Sequence, residues 1–69
     1  MNDTQTTDRL ELSRVLRQAK PLVAPLYPDQ QAQWAEESPL AQEIAALLVK
    51  HPEYYDEIFA QIGGIFAKP

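Results

Sequence analysis

Ser38–Gly64 reads SPLAQEIAALLVKHPEYYDEIFAQIGG, and the punctuation of this stretch decides the fold. Ser38 is a residue type that caps helix N-termini, and Pro39 suits the first helical position, where a missing N–H leaves no intrahelical bond unmade. Leu40, Ile44, Leu47 and Leu48 then fall at i, i+4, i+7 and i+8, on one side of a 3.6-residue period. Lys50 closes that helix with a cation at the negative end of its dipole. His51-Pro52-Glu53 restarts the chain, since Pro52 cannot continue one helix but fits the first turn of the next. Tyr55, Ile58, Phe59, Ile62 and Phe66 form a second stripe at i, i+3, i+4, i+7 and i+11. Gly63-Gly64 is a natural stop in left-handed backbone, after which Ile65 and Phe66 fold back as a hydrophobic lid. The alternative is a helix that runs through both glycines at a cost of about 1 kcal/mol each.

Upstream, Asp29–Glu37 predicts a short helix starting at Pro28 or Asp29, in which only Ala32, Trp34 and Ala35 are candidates for burial. Lys20–Pro28 contains Pro21, Pro25 and Pro28, a density that forbids an ordinary helix. Its apolar residues Leu22, Val23, Leu26 and Tyr27 predict an extended segment packed across the helices. Pro25 and Pro28 have a formal P-x-x-P spacing, but the residues between them look like core, so a proline-ligand role is rejected. A first helix is expected from Thr7 or Asp8, where Asp8 and Glu11 resemble a capping box. Leu12, Val15, Leu16 and Ala19 give it an apolar face, and Pro21 should stop it at Lys20. Residues 1–6 are expected to form a disordered tail and residues 7–69 a single helical domain. No segment alternates with period two, so strands are not expected. The fold class is all-α, a small bundle of three to four short helices with a proline-rich segment after the first.

Composition narrows the function classes. The chain has 69 residues, 45% of them apolar, with no Cys, one His, one Trp and a net charge of −4. That apolar content is globular, while the absence of Cys excludes disulfides and thiolate metal sites. No apolar run approaches the roughly 20 residues of a membrane span, and the polar first ten residues are expected to lack a signal-peptide core. A cytoplasmic setting is the expectation. A core this small rarely supplies more than about 3–5 kcal/mol, which favours close packing or help from a partner.

Residue types for chemistry are scarce. His51 is the only histidine, and Ser13 and Ser38 are the only serines. Ser38 is explained as a cap, Ser13 as a surface residue and His51 as a helix-end residue, so no catalytic role is assigned. Glu53, Asp56 and Glu57 share helical spacing, but acids in a first turn are ordinary partners of the dipole and the set lacks the features of a cation loop. Glu36-Glu37 is the odder pair, because acids at a helix end are unfavourable. Gly63-Gly64 follows no strand and so makes no phosphate cradle. It would also leave only a five-residue product if read as a leader cleavage site. No cofactor or metal is expected.

Two features stand out from this background. Residues 1–20 carry a charge of +1 and residues 21–69 a charge of −5. Arg9, Ser13, Arg17 and Lys20 fall at i, i+4, i+8 and i+11, a basic stripe of the kind a nucleic-acid binder uses, although no aromatic residue interleaves it. The second feature is apolar breadth. Ala41, Ala45 and Val49 run beside the Leu40–Leu48 stripe, while Tyr54 and Ile58 run beside Tyr55, Phe59 and Ile62. A helix apolar over much of its girth is covered by something, and a chain of this size has no larger core to offer. The expected function is therefore a non-catalytic protein–protein interaction module, a small adaptor, inhibitor, regulatory or accessory subunit. It would dock through an apolar helical face onto another protein or a second copy of itself. Trp34, Val49, Tyr54 and Phe66 are the candidate contacts. The alternative is a DNA-associated transcriptional regulator using Arg9, Arg17 and Lys20. A small-molecule substrate is not indicated.

Overall fold

The computed structural model describes residues 3–67. Four helices follow in order: α1 (Asp3–Val23), α2 (Pro28–Glu37), α3 (Pro39–Lys50) and α4 (Tyr55–Ile62). A single 3-10 turn, Pro52–Tyr54, joins α3 to α4. The fold is thus all-α, with prolines at the starts of α2, α3 and the 3-10 turn, as the punctuation of the sequence predicts. α1 packs against α3 and α4, and α2 packs against α3. No helix among the described residues is long and apolar enough to cross a membrane.

The core lies between α1, α3 and α4. Leu12, Val15, Leu16, Ala19 and Val23 of α1 meet Ala41, Ile44, Leu47 and Leu48 of α3 and Ile58 and Ile62 of α4. Tyr54 and Phe66 complete it from the 3-10 turn and the C-terminal segment. The stripes read from α1 and α3 are thereby the buried faces, with Leu40 half-buried at the edge.

Three local expectations need correction. α1 begins at Asp3, ahead of Thr7, so residues 3–6, assigned by sequence to a disordered tail, belong to the helix, while Met1 and Asn2 lie outside the described residues. Asp8 consequently caps nothing. It sits inside α1 with its carboxylate turned to His51 and Lys50. At the other end, α1 runs through Pro21 to Val23. Pro21 cannot donate to the Arg17 carbonyl, a defect worth up to about 3 kcal/mol in mid-helix. The extra turn seats Val23 beside Ala19 at 2% exposure, and burying such a side chain returns about 1.5–3 kcal/mol. At a helix end, where only one bond is lost, burial wins. The linking segment is therefore a tight turn over Ala24–Tyr27 rather than an extended strap. Leu26 N–H donates to the Val23 carbonyl at 3.0 Å, and the Gln31 side chain donates to the same oxygen at 3.2 Å. Leu22 and Tyr27, expected to pack, are exposed.

The third correction concerns α4. The buried line is Tyr54, Ile58 and Ile62, at i, i+4 and i+8, with Phe66 folded back beyond the end of α4. Phe59, expected on the core stripe, is 53% exposed and lies over the chain reversal, where a Cβ on Gly64 would meet its ring at 3.0 Å. Gly63 ends α4 with φ 81° and ψ −171°, a positive φ but an extended ψ rather than the left-handed helical one. Phe66 then folds back into the core, as the lid reading requires.

Candidate functional site

The four candidate protein contacts divide into two kinds. Val49 is 80% exposed near the end of α3, a free apolar side chain. Trp34 is half-buried: one part packs against the core, and the rest lines a shallow groove of about 400 Å³ with Leu26, Gln30, Gln33, Glu37 and Ser38. Tyr54, at 2% exposure, and Phe66, at 8%, are core residues in this fold and present no surface to a partner. The sequence placed Tyr54 and Ile58 on the outer line of the helix and Tyr55 and Phe59 on the inner one, whereas the buried line is that of Tyr54, Ile58 and Ile62.

α2 holds the groove, and its construction is unusual. None of its ten residues is buried. Pro28 supplies the first position, the Tyr27 N–H donates to Gln30 Oε1 at 3.0 Å, and the Ser38 N–H closes the far end on the Trp34 carbonyl at 2.9 Å. Ser38 stands between α2 and α3 as expected, but its hydroxyl makes no capping bond, and its carbonyl receives Gln42 N–H at 3.0 Å. Along α2, Gln30, Trp34 and Glu37 share one line of the helix, while Asp29, Gln33 and Glu36 share the next. The Gln33 amide donates to both oxygens of Glu37, at 3.5 and 3.3 Å, holding that carboxylate in place.

The basic stripe is partly spent inside the molecule. Arg9 Nη2 lies 2.9 Å from Glu57 Oε1, and its guanidinium sits 5.3 Å from the centroid of the Tyr54 ring. Arg17 and Lys20 make no ion pair among the described residues. They line a second groove with Ser13, Leu16, Pro21, Glu57 and Gln61, so an acid shares that groove with them. Arg14, which the stripe reading left aside, pairs with Glu11 and stands 3.7 Å from Glu43.

A polar cluster that sequence reading missed joins α1 to the α3–α4 junction. His51 Nε2–H donates to Asp8 Oδ2 at 2.8 Å, with Lys50 Nζ at 3.4 Å from the same oxygen and Glu53 Oε1 at 3.5 Å from His51 Nδ1. The His51 ring stacks on Tyr54 at 4.5 Å between centroids. The hydrogen bond from His51, aided by Lys50, holds the Asp8 carboxyl below the usual carboxylate range against the opposing effect of burial. Arg14 does the same for Glu11. The acids Glu53, Asp56 and Glu57 are drawn apart, Glu53 toward His51 and Glu57 toward Arg9. Among the described residues no group of three or more His, Cys, Asp or Glu side chains is placed to hold a metal ion.

No protein-family model, no curated protein and no solved structure matches the chain.

Proposed function

We propose that this chain is a non-catalytic protein-interaction module, an adaptor, inhibitor or accessory subunit that docks through Trp34 of α2 and Val49 of α3. The observation that carries the reading is α2, a ten-residue helix with no buried residue that nonetheless presents the only Trp of the chain at an open groove. Helices shorter than about 12–15 residues are marginal in water and owe their persistence to packing. A helix so thinly packed has its apolar side chain available to another chain, and Trp buries a large area on docking while keeping a polar atom. Val49 adds a second exposed apolar residue. A cytoplasmic setting belongs to the same proposal. The DNA-associated alternative has weaker support, because Arg9 is held by Glu57 and the remaining cations share their groove with that acid.

The test is affinity capture from the native host's lysate with the wild-type chain and with Val49→Lys and Trp34→Ala, alongside sedimentation velocity of the chain alone at micromolar concentration. The proposal expects either a captured protein that both variants lose, or self-association that both abolish. A monomer whose captured set is the same for wild type and variants would overturn it.

A further inference from the structure

The acids of α2 differ from most other acids of the molecule with described side chains. Glu11 and Glu43 have Arg14, Glu57 has Arg9, and Asp8 has His51 and Lys50. Asp29, Glu36 and Glu37 have no cationic partner among the described residues, and from Pro21 to Val49 the sequence contains no Lys or Arg. Glu36 and Glu37 also sit in the last turn of α2, where the helix dipole is already negative and no basic residue offsets it. Of the other acids with described side chains only Asp56 likewise lacks a cation, so α2 carries three of the four unpaired carboxylates, beside a largely apolar groove. Glu37 lines that groove, fixed by Gln33, and Asp29 and Glu36 run along the adjoining line of the helix.

We infer that the groove of Leu26, Gln30, Trp34 and Glu37 receives a cationic amphipathic segment of a partner protein. Such a segment seats an apolar side chain on Leu26 and Trp34 and sets Lys or Arg beside Glu36 and Glu37. Its cations supply the charge that the C-terminal turn of α2 lacks, and a guanidinium or ammonium group also finds the face of Trp34 attractive. The groove is a shallow one of about 400 Å³, room for one or two side chains of a helix or extended strand rather than for a folded domain. Rim charges of this kind choose the partner and speed its approach more than they add affinity. This inference deepens the interaction reading by naming the chemistry of the partner, and it rests on that reading.

Trp34, being the only Trp, reports on its own groove. Two model peptides of equal length, one an amphipathic helix of Leu and Lys and the other its Leu and Glu counterpart, are titrated into the full chain at low salt. Binding is followed by Trp34 fluorescence and by backbone amide shifts. The Leu/Lys peptide should move the Trp34 emission and shift the amides of Leu26, Gln30 and Gln33, while the Leu/Glu peptide should do neither. Neutralising the rim with Glu36→Gln and Glu37→Gln should weaken the Leu/Lys peptide about five- to tenfold. Glu53→Gln with Asp56→Asn removes the same charge elsewhere and should change binding less than about twofold.

Equal response to both peptides, equal loss in the two double variants, or shifts centred away from α2 would each overturn the proposal. Self-association that occupies Trp34 and is abolished by Arg17→Glu would replace the partner protein with a second copy. If the peptides leave Trp34 untouched while Val49→Lys still abolishes capture, the groove is discarded and the interaction reading stands. A bound groove with no difference in capture has the opposite meaning.

Discussion

Tyr54 concentrates the chemistry of single residues in this molecule. Its ring is buried, with His51 stacked on it and the Arg9 guanidinium nearby, yet its hydroxyl oxygen is buried without a hydrogen-bond partner among the described residues. An unpaired buried polar group costs about 1–3 kcal/mol relative to water, whereas the ring's packing is worth several times a single hydrogen bond. Tyr54→Phe should therefore leave the fold intact and raise its thermal midpoint, read by circular dichroism. A clear drop would show that the hydroxyl is bonded in solution. The pairing of His51 with Asp8, 43 positions apart, was invisible in sequence, because residue type alone made Asp8 a cap and His51 a helix end. The exposure of Val49 was legible because its helical position sets it apart from the core stripe, while Trp34 is divided between core and groove. Phe66 was legible as the lid after Gly63-Gly64 but not as a contact, and the burial of Tyr54 was not legible, since both Tyr54 and Tyr55 sit on apolar lines of the same helix.

At the level of elements, helix boundaries were readable wherever proline or glycine marked them, and unreadable where packing overrode a local signal, as at Pro21. Gly63 is a boundary with a measurable cost. Its φ of 81° with extended ψ is a region essentially reserved for glycine, although a Cβ there would meet nothing within 4 Å. Gly63→Ala should therefore destabilise the chain by about 1–3 kcal/mol through backbone strain alone, measured by urea unfolding. A neutral result would mean that the segment after α4 takes another path.

The tie between α1 and the α3–α4 junction has a pH signature. The Asp8 carboxyl, held below its ordinary value chiefly by the hydrogen bond from His51, is ionised more readily folded than unfolded. The stability it contributes is then complete above the unfolded carboxylate value and is lost as pH falls through the lower, folded one. Asp8→Asn should be less stable than wild type at neutral pH, and the gap should close in acid below the carboxylate range. Thermal midpoints collected down to that range test this, and a gap that stays constant with pH would assign the loss to packing rather than charge. Glu11, lowered chiefly by Arg14 and raised by the neighbouring Asp8 charge, is lowered further in Asp8→Asn, which works in the same acid range and slightly narrows the gap.

Over the whole molecule, an elongated body of 42 × 22 × 20 Å has one well-packed core, shared by α1, α3 and α4, with α2 attached beside it. A chain with this little core has few kcal/mol to lose, so the distinction between core and contact residues is sharp in experiment. Phe66→Ala, at a residue with 8% exposure, should cost about 3–5 kcal/mol and leave the chain largely unfolded. Val49→Lys, at a residue with 80% exposure, should change stability by no more than about 0.5 kcal/mol. Near the end of α3 the new cation even faces a favourable dipole, and Lys is the better helix former of the two. Yet the same substitution should abolish association, because a charge cannot be buried unpaired in an apolar contact. Unfolding curves and sedimentation on the two variants separate the roles: one loses the fold, the other only the company. If Val49→Lys unfolds the chain, Val49 is covered within the monomer and the α3 side is no docking face.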